Sequence, residues 1–247
     1  MKVLVIIVSY NFERWIDRCL GSLRSSEHPV DTVVIDNASQ DQTLRRIKKD
    51  YPEVRLIESK TNLGFGQANN IGMKMALEEG YTHVFLLNQD AWIEANMVEE
   101  LLQYDDGNSL LSPIHLTGEG DALDRNFKLH ALMRAYHFGQ LVDDWATGNT
   151  HKYATYEINA ACWLLPAKII REIGGFNPMF FHYAEDINYL HRLHYYQKGV
   201  YFVPKAKAYH DRAHLLYNHP YLQRRRQAPH RSLCSHAPHK DTAILKV

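Results

Sequence analysis

The first hundred residues alternate four short apolar runs with amphipathic segments, and this alternation restricts the fold more than any other feature of the chain. The runs are VLVIIVS, TVVID, VRLIE and HVFLLN. Runs of this length suit buried strands. Where a helical period separates each from the next, the chain forms βαβ units around a mostly parallel sheet. Between the first two runs, Phe12, Trp15, Ile16, Cys19, Leu20 and Leu23 recur at helical spacing. They make one apolar face, so Trp15 and Cys19 are expected in the core.

Later helices are expected at 67–79, ending on Gly80 as a C-cap, and around 95–103 with Met97, Val98, Leu101 and Leu102 turned inward. Ser39 and Gln42 have the spacing of a capping box opening a helix that buries Leu44 and Ile47. Beyond residue 104 the periodicity weakens. DDGNS and TGEGD bracket LLSPIHL, and 121–150 read as loops with one or two short helices. Order returns with YEINAACWLLP as a strand, a helix from Ala167 to about Ile173, a helix from about Glu185 to Gln197, and VYFVP as the last strand. The expected division is one domain over 1–218, with a ligand-binding half at 1–103 and a second, catalytic half at 104–218. A basic tail rich in His and Pro follows over 219–247 and carries RRR at Arg224 to Arg226. Lacking any period, it reads as solvated chain in preference to a membrane or partner patch.

Lys+Arg and Asp+Glu both number 28, so no global field draws the protein to nucleic acid or anionic lipid. Cys19, Cys162 and Cys234 are odd in number and widely spaced, which suits free thiols in a reducing compartment. The opening VLVIIV is too short to span a membrane and has no signal-peptide cleavage pattern. A cytoplasmic location is expected, with association at the inner face of a membrane left open.

In an open α/β sheet, ligands bind where the carboxyl ends of the strands meet the loops. The polar residues just past each strand are Ser9, Tyr10 and Asn11, then Asp36 and Asn37, then Asn62, then Asn88, Gln89 and Asp90. All four sets are expected on one rim. Asp36 is placed to accept a hydrogen bond from a base or ribose, or equally to organise a turn with Ser39. NLGFGQANNIG holds Gly64 and Gly66 but fails as a dinucleotide fingerprint, because it follows the third strand and lacks the remaining spacing. Small residues at a helix start still let a ligand approach backbone N–H groups. Asp90 suits Mg²⁺, which typically takes one or two protein carboxylates with phosphate oxygens and water. The competing reading is a cap for a helix beginning near Glu94.

In FFHYAED, Glu185 and Asp186 either complement a helix dipole or supply a general base for an acceptor hydroxyl. His210, one of 15 histidines, follows the last strand and carries no weight alone.

Taken in order, VIIVSYN, VVIDNASQD, NLGFGQANNIG, FLLNQDAWI, GGFNPMFFHYAEDINYLHRL and VYFVPKAKAYH resemble the successive blocks of family 2 glycosyltransferases of the GT-A fold, nearest the bacterial rhamnosyltransferase-like subgroup. The match runs from residue 2 to about 212. The resemblance implies an α/β fold with a mostly parallel central sheet flanked by helices. It also implies inverting transfer of a sugar from a dTDP- or UDP-sugar to a hydroxyl of a glycan or lipid-linked acceptor, in surface polysaccharide assembly. By the same resemblance Ser9, Tyr10, Asn11 and Asp36 hold the nucleoside. Asn62, Gly66, Asn70, Asn88 and Gln89 border the nucleotide and donor sugar. Asp90 and His210 hold Mg²⁺ or Mn²⁺, Asp186 is the base, and Glu185 orients it or meets the acceptor. Asn88 departs from a strict two-carboxylate motif and weakens the charge offered to the ion.

Two other classes compete. A nucleotidyltransferase would carry a Gly-rich phosphate loop with a basic residue after the first strand, which SYNFERW lacks. A sugar-nucleotide-binding protein without activity is kept alive by Asn88, and binding without turnover would identify it.

Overall fold

The computed structural model describes residues 1–148, 151–181 and 183–212, so the expected tail at 219–247 lies outside the described residues. The N-terminal half builds as its periodicity requires. Strands β1 (Val3–Ser9), β2 (Val30–Asp36), β3 (Arg55–Glu58) and β4 (His83–Leu87) alternate with helices α1 (Ile16–Arg24), α2 (Thr43–Asp50) and α3 (Gly64–Glu78). The strands pair in parallel in the order β3-β2-β1-β4. Val3 to Ile7 of β1 and all of β4 are buried, because a central parallel strand is covered by helices on both faces. Helix α1 turns Ile16, Cys19, Leu20 and Leu23 inward, and Trp15 packs on that core from its edge.

The second half adds β5 (Ala91–Ile93), α4 (Met97–Leu102), β6 (Ser109–Thr117), a π-helical turn at Phe127–Leu132, α5 (Phe138–Thr147), β7 (Tyr153–Ala154), β8 (Cys162–Pro166), α6 (Ala167–Ile173), α7 (Glu185–Tyr195) and β9 (Gly199–His210). One nine-stranded sheet runs β3-β2-β1-β4-β8-β6-β9-β5, with β7 on β9. The expected mostly parallel character holds for the first half only. Strand β8 enters antiparallel between β4 and β6, and β5 and β7 pair antiparallel with β9, so the whole sheet is mixed. The long β6–β9 pair is parallel, with a register shift between Pro113 and Ile114, where proline supplies no N–H to the ladder.

Five local expectations change. LLSPIHL is part of a nine-residue strand, β6, which the flanking turn clusters disguised. The YEINAACWLLP strand contracts to Cys162–Pro166, and β9 extends well past VYFVP to His210. Helix α3 starts at Gly64, three residues early. The capping box does not form: α2 starts at Thr43 without a side-chain cap, and the Ser39 hydroxyl turns instead to the Asp36 carboxylate.

Candidate active site

The loops beyond β1 and β2 are tied into one surface by short polar side chains. Ser9 Oγ donates to Asp36 Oδ1 at 2.9 Å, and the Ser39 N–H donates to Asp36 Oδ2 at 2.8 Å. Asp36 is buried and both its oxygens are engaged, so its turn-organising reading is the one realised within the chain. Asn11, at φ 52°, donates its N–H to Ser39 Oγ at 2.8 Å and accepts from the Gln40 N–H at 2.9 Å. Asn and Asp are the L residues that tolerate this left-handed backbone best. Thr43, which the sequence did not single out, accepts the Phe12 N–H at 2.7 Å and fixes the same loop from α2. Tyr10 and Asn11 stay exposed at the rim.

Past β4, Gln89 acts as a surrogate strand. Its Oε1 accepts the Tyr10 N–H at 2.8 Å and its Nε2 donates to the Tyr10 carbonyl at 3.1 Å. The Asn88 N–H donates to the Ala161 carbonyl at 2.9 Å, anchoring the β4 end to the chain entering β8. Asp90 lies beside His210, with Nε2 3.1 Å from Oδ1, and the Asp90 carbonyl accepts the Asp211 N–H at 2.9 Å. Burial pushes the Asp90 carboxyl up, but the His210 imidazole and the Arg212 guanidinium outweigh that and hold it below the usual range. Its side chain remains 14% exposed, so an ionised carboxylate reaches the rim. That carboxylate, with phosphate oxygens and water, fits a divalent cation, His210 is hydrogen-bonded to it, and Asp90 does not cap α4, which begins at Met97.

Helix α3 meets this rim differently from expectation. Asn62 is exposed and accepts the Gly64 N–H at 2.8 Å, making the turn into the helix. Asn70 is buried, and both ends of its amide bond the Phe176 main chain. A Cβ on Gly66 would lie 3.0 Å from Phe176 Cβ and 3.7 Å from Glu185 Cβ. Asn70 and Gly66 therefore face the loop before α7, across 106 residues of sequence, where they set its position.

That loop aims the two acidic residues. Tyr183 and Ala184 both have positive φ, 70° and 72°, a rare backbone for side-chain-bearing residues that turns the chain sharply into α7. Asp186 is partly exposed and accepts the Ile187 N–H at 2.8 Å. Burial raises its pKa, against backbone hydrogen bonds from Ile187 and Ala160 that lower it. Ala160 adjoins Ala161, whose carbonyl holds the Asn88 N–H, so the chain entering β8 passes from the β4 rim to the neighbourhood of Asp186. Glu185 is buried with Oε2 lacking a hydrogen-bond partner, and burial raises its carboxyl to about 7. Arg192, missed in the sequence because it occupies one turn of an amphipathic helix, is fully buried. Its guanidinium donates to the Ile173 carbonyl at 2.9 Å and also bonds that of Gly175, steadying the same loop from α7.

The folded chain thus brings Ser9, Tyr10, Asn11, Asp36, Asn88, Gln89, Asp90 and His210 to the loops beyond one end of the strands, with Asp186 near the chain that enters β8. Solved structures share this fold. The Staphylococcus aureus TarS fragment in complex with UDP matches at 19% identity and TM-score 0.63, over 85% of this chain and 60% of its own. GalNAc-T7 with UDP, GalNAc and Mn²⁺ matches at 15% identity and TM-score 0.69, over 85% and 44%. Among curated proteins, the N-acetylglucosaminyl-diphospho-decaprenol L-rhamnosyltransferase of Mycobacterium tuberculosis is 25% identical over 85% of this chain and 76% of its own. The profile of glycosyl transferase family 2 matches residues 4–157, and the chain belongs to that family.

Proposed function

We propose that this glycosyltransferase transfers a sugar, with inversion, from a dTDP- or UDP-sugar to a hydroxyl of a glycan or lipid-linked acceptor in surface polysaccharide assembly, with rhamnose the favoured sugar. The observation that supports the reading is the approach of Asp186 to the chain segment Ala160–Ala161, whose Ala161 carbonyl holds the Asn88 N–H, so that a carboxylate from the second half of the chain can serve the same site as Asp90. Ser9, Tyr10, Asn11 and Asp36 form the nucleoside end, Asn62 and Asn88 border the diphosphate and sugar, and Gln89 holds the Tyr10 main chain in place. Rhamnose is favoured by the similarity to the mycobacterial rhamnosyltransferase, and a UDP donor by the UDP bound in TarS and GalNAc-T7.

Inversion needs the acceptor hydroxyl in line with the departing diphosphate. Asp186 takes the hydroxyl proton as the oxygen attacks the anomeric carbon. The hydrogen bond from the Ile187 N–H fixes the carboxylate's direction, and the buried Glu185 orients it or meets the acceptor. Asp90 would hold Mg²⁺ or Mn²⁺, which offsets negative charge growing on the leaving phosphate. His210 steadies the Asp90 carboxylate from behind. Holding donor and acceptor together supplies the proximity contribution.

Support for a lipid-linked acceptor comes from α5, where Phe138, Val142 and Trp145 are 47%, 50% and 40% exposed at helical spacing and form an apolar stripe. No helix among the described residues is long and apolar enough to cross a membrane.

Thermal stabilisation of wild type and Asp90→Ala by UDP, dTDP and GDP, each with and without Mn²⁺, tests the donor site. A Mn²⁺-dependent rise in Tm with UDP or dTDP, lost in the variant, is expected. No shift with any diphosphate would overturn the reading.

A further inference from the structure

Behind Asp90 lies a second set of side chains able to ligate a metal, of which the proposed transfer uses only His210, to steady Asp90. His115 is in β6, His210 ends β9 beside it, and Asp124 follows the turn after β6. All three are buried, and one ligand atom from each lies within 4.8 Å of the others.

The hydrogen bonding favours one tautomer for each imidazole. The Ser112 hydroxyl donates to the Pro113 carbonyl at 3.1 Å and its oxygen lies 3.1 Å from His115 Nε2, so the tautomer with Nε2–H directed at Ser112 satisfies both contacts. His115 Nδ1 is left as a buried lone pair with no hydrogen-bond partner. Such a bare buried acceptor is costly unless something fills it. On His210, Nδ1 accepts from Arg212 Nε–H at 3.2 Å, so Nε2–H is the group that faces Asp90. Asp124 Oδ1 accepts the Phe127 N–H at 2.9 Å, and its Oδ2 lies 3.4 Å from Arg212 Nε. A guanidinium therefore already places positive charge between His210 and Asp124, yet it leaves His115 Nδ1 unsatisfied.

We propose that His115 Nδ1, Asp124 and His210 Nδ1 form a buried site for a divalent transition metal of the Zn²⁺ type, which the Arg212 side chain fills until the ion displaces it. Two imidazoles and one carboxylate suit Zn²⁺ better than Mg²⁺, which prefers oxygen and octahedral geometry. Tetrahedral ligands on Zn²⁺ sit about 3.4 Å apart, so the ion draws the side chains in by about 1 Å. Occupancy would complete a carboxylate–imidazole–metal relay from Asp90 through His210, fixing the ring and the direction of the carboxylate. This inference adds to the proposed donor site: the buried ion needs no nucleotide, whereas the cation at Asp90 is completed by phosphate oxygens.

The test is equilibrium dialysis of the chelator-treated full chain against Zn²⁺ without nucleotide, with Co²⁺ absorption as a second readout of imidazole ligation. Wild type is expected to take one equivalent. His115→Gln and Asp124→Asn should each weaken binding at least about tenfold, and Arg212→Ala, which removes the competing cation, should tighten it. Circular dichroism of the metal-free variants checks that they fold, and the Arg212 variant carries the test if the other two do not. His115→Gln should keep the Mn²⁺-dependent response to UDP, so failure here is distinguishable from failure of the donor site. The proposal is overturned by any of three results: no nucleotide-independent Zn²⁺ in wild type, affinity unchanged in both ligand variants, or no tightening on removing Arg212. Unchanged affinity would place the ion elsewhere among the 15 histidines.

Discussion

Asn70 and Phe176 exchange two hydrogen bonds: Asn70 Oδ1 accepts the Phe176 N–H at 2.7 Å, and Asn70 Nδ2 donates to the Phe176 carbonyl at 2.8 Å. One amide thereby fastens the helix after β3 to the loop that leads into α7. Asn70→Ala leaves a buried N–H and a buried carbonyl without partners and is expected to cost about 2–4 kcal/mol in urea unfolding. A Cβ on Gly175 would come within 2.2 Å of Asn70 Oδ1, so Gly175→Ala acts on the same contact. The double variant should lose less than the sum of the two singles. Strict additivity would show that the clamp is not shared.

Gly64 sits where the two halves approach closely. Its φ is +78° and a Cβ would lie 2.1 Å from the Phe181 carbonyl oxygen. Gly64→Ala combines backbone strain with a main-chain clash and should destabilise by about 2–5 kcal/mol. Gly80, also at positive φ but with open space around it, is the control: Gly80→Ala carries the strain alone and should cost less. Equal losses on thermal unfolding would rule out the packing argument.

Asp186→Asn keeps the shape of the side chain and removes the proposed base. A kcat at least about 100-fold lower is expected, with UDP affinity by calorimetry unchanged. Because burial raises the Asp186 pKa, the acid limb of kcat/KM in wild type should lie above the ordinary aspartate range. Near-normal turnover by the variant would remove Asp186 from the mechanism.

Glu185 makes stability depend on pH in an unusual direction. Its carboxyl is raised to about 7 by burial, above its value in the unfolded chain, so the folded state holds the extra proton. Stability is then greatest below the unfolded pKa and falls as pH climbs toward 7. Glu185→Gln, always neutral, should be close to wild type at pH 5 and more stable than it at pH 8, by up to about 3 kcal/mol. Denaturant unfolding at the two pH values measures this, and a variant weaker at pH 8 would contradict it.

The sequence by itself determined the N-terminal half. Four apolar runs separated by helical faces leave one arrangement of strands and helices, and strand ends in an α/β sheet put Ser9, Asp36 and Asp90 on a common rim because side chains just past a strand have nowhere else to go. The tertiary structure decided what depends on long-range pairing. The antiparallel entry of β8 beside β4, the length of β9, and the place of LLSPIHL inside the sheet follow from which strand lies next to which, and local apolar periods carry no such information. The same limit applies to single residues. Asn70, Gly66 and Arg192 look polar or small on helices and serve contacts more than a hundred residues away or to main-chain carbonyls. His115 and Asp124 have no ligand spacing in the chain, and meet His210 only because β6 and β9 lie parallel.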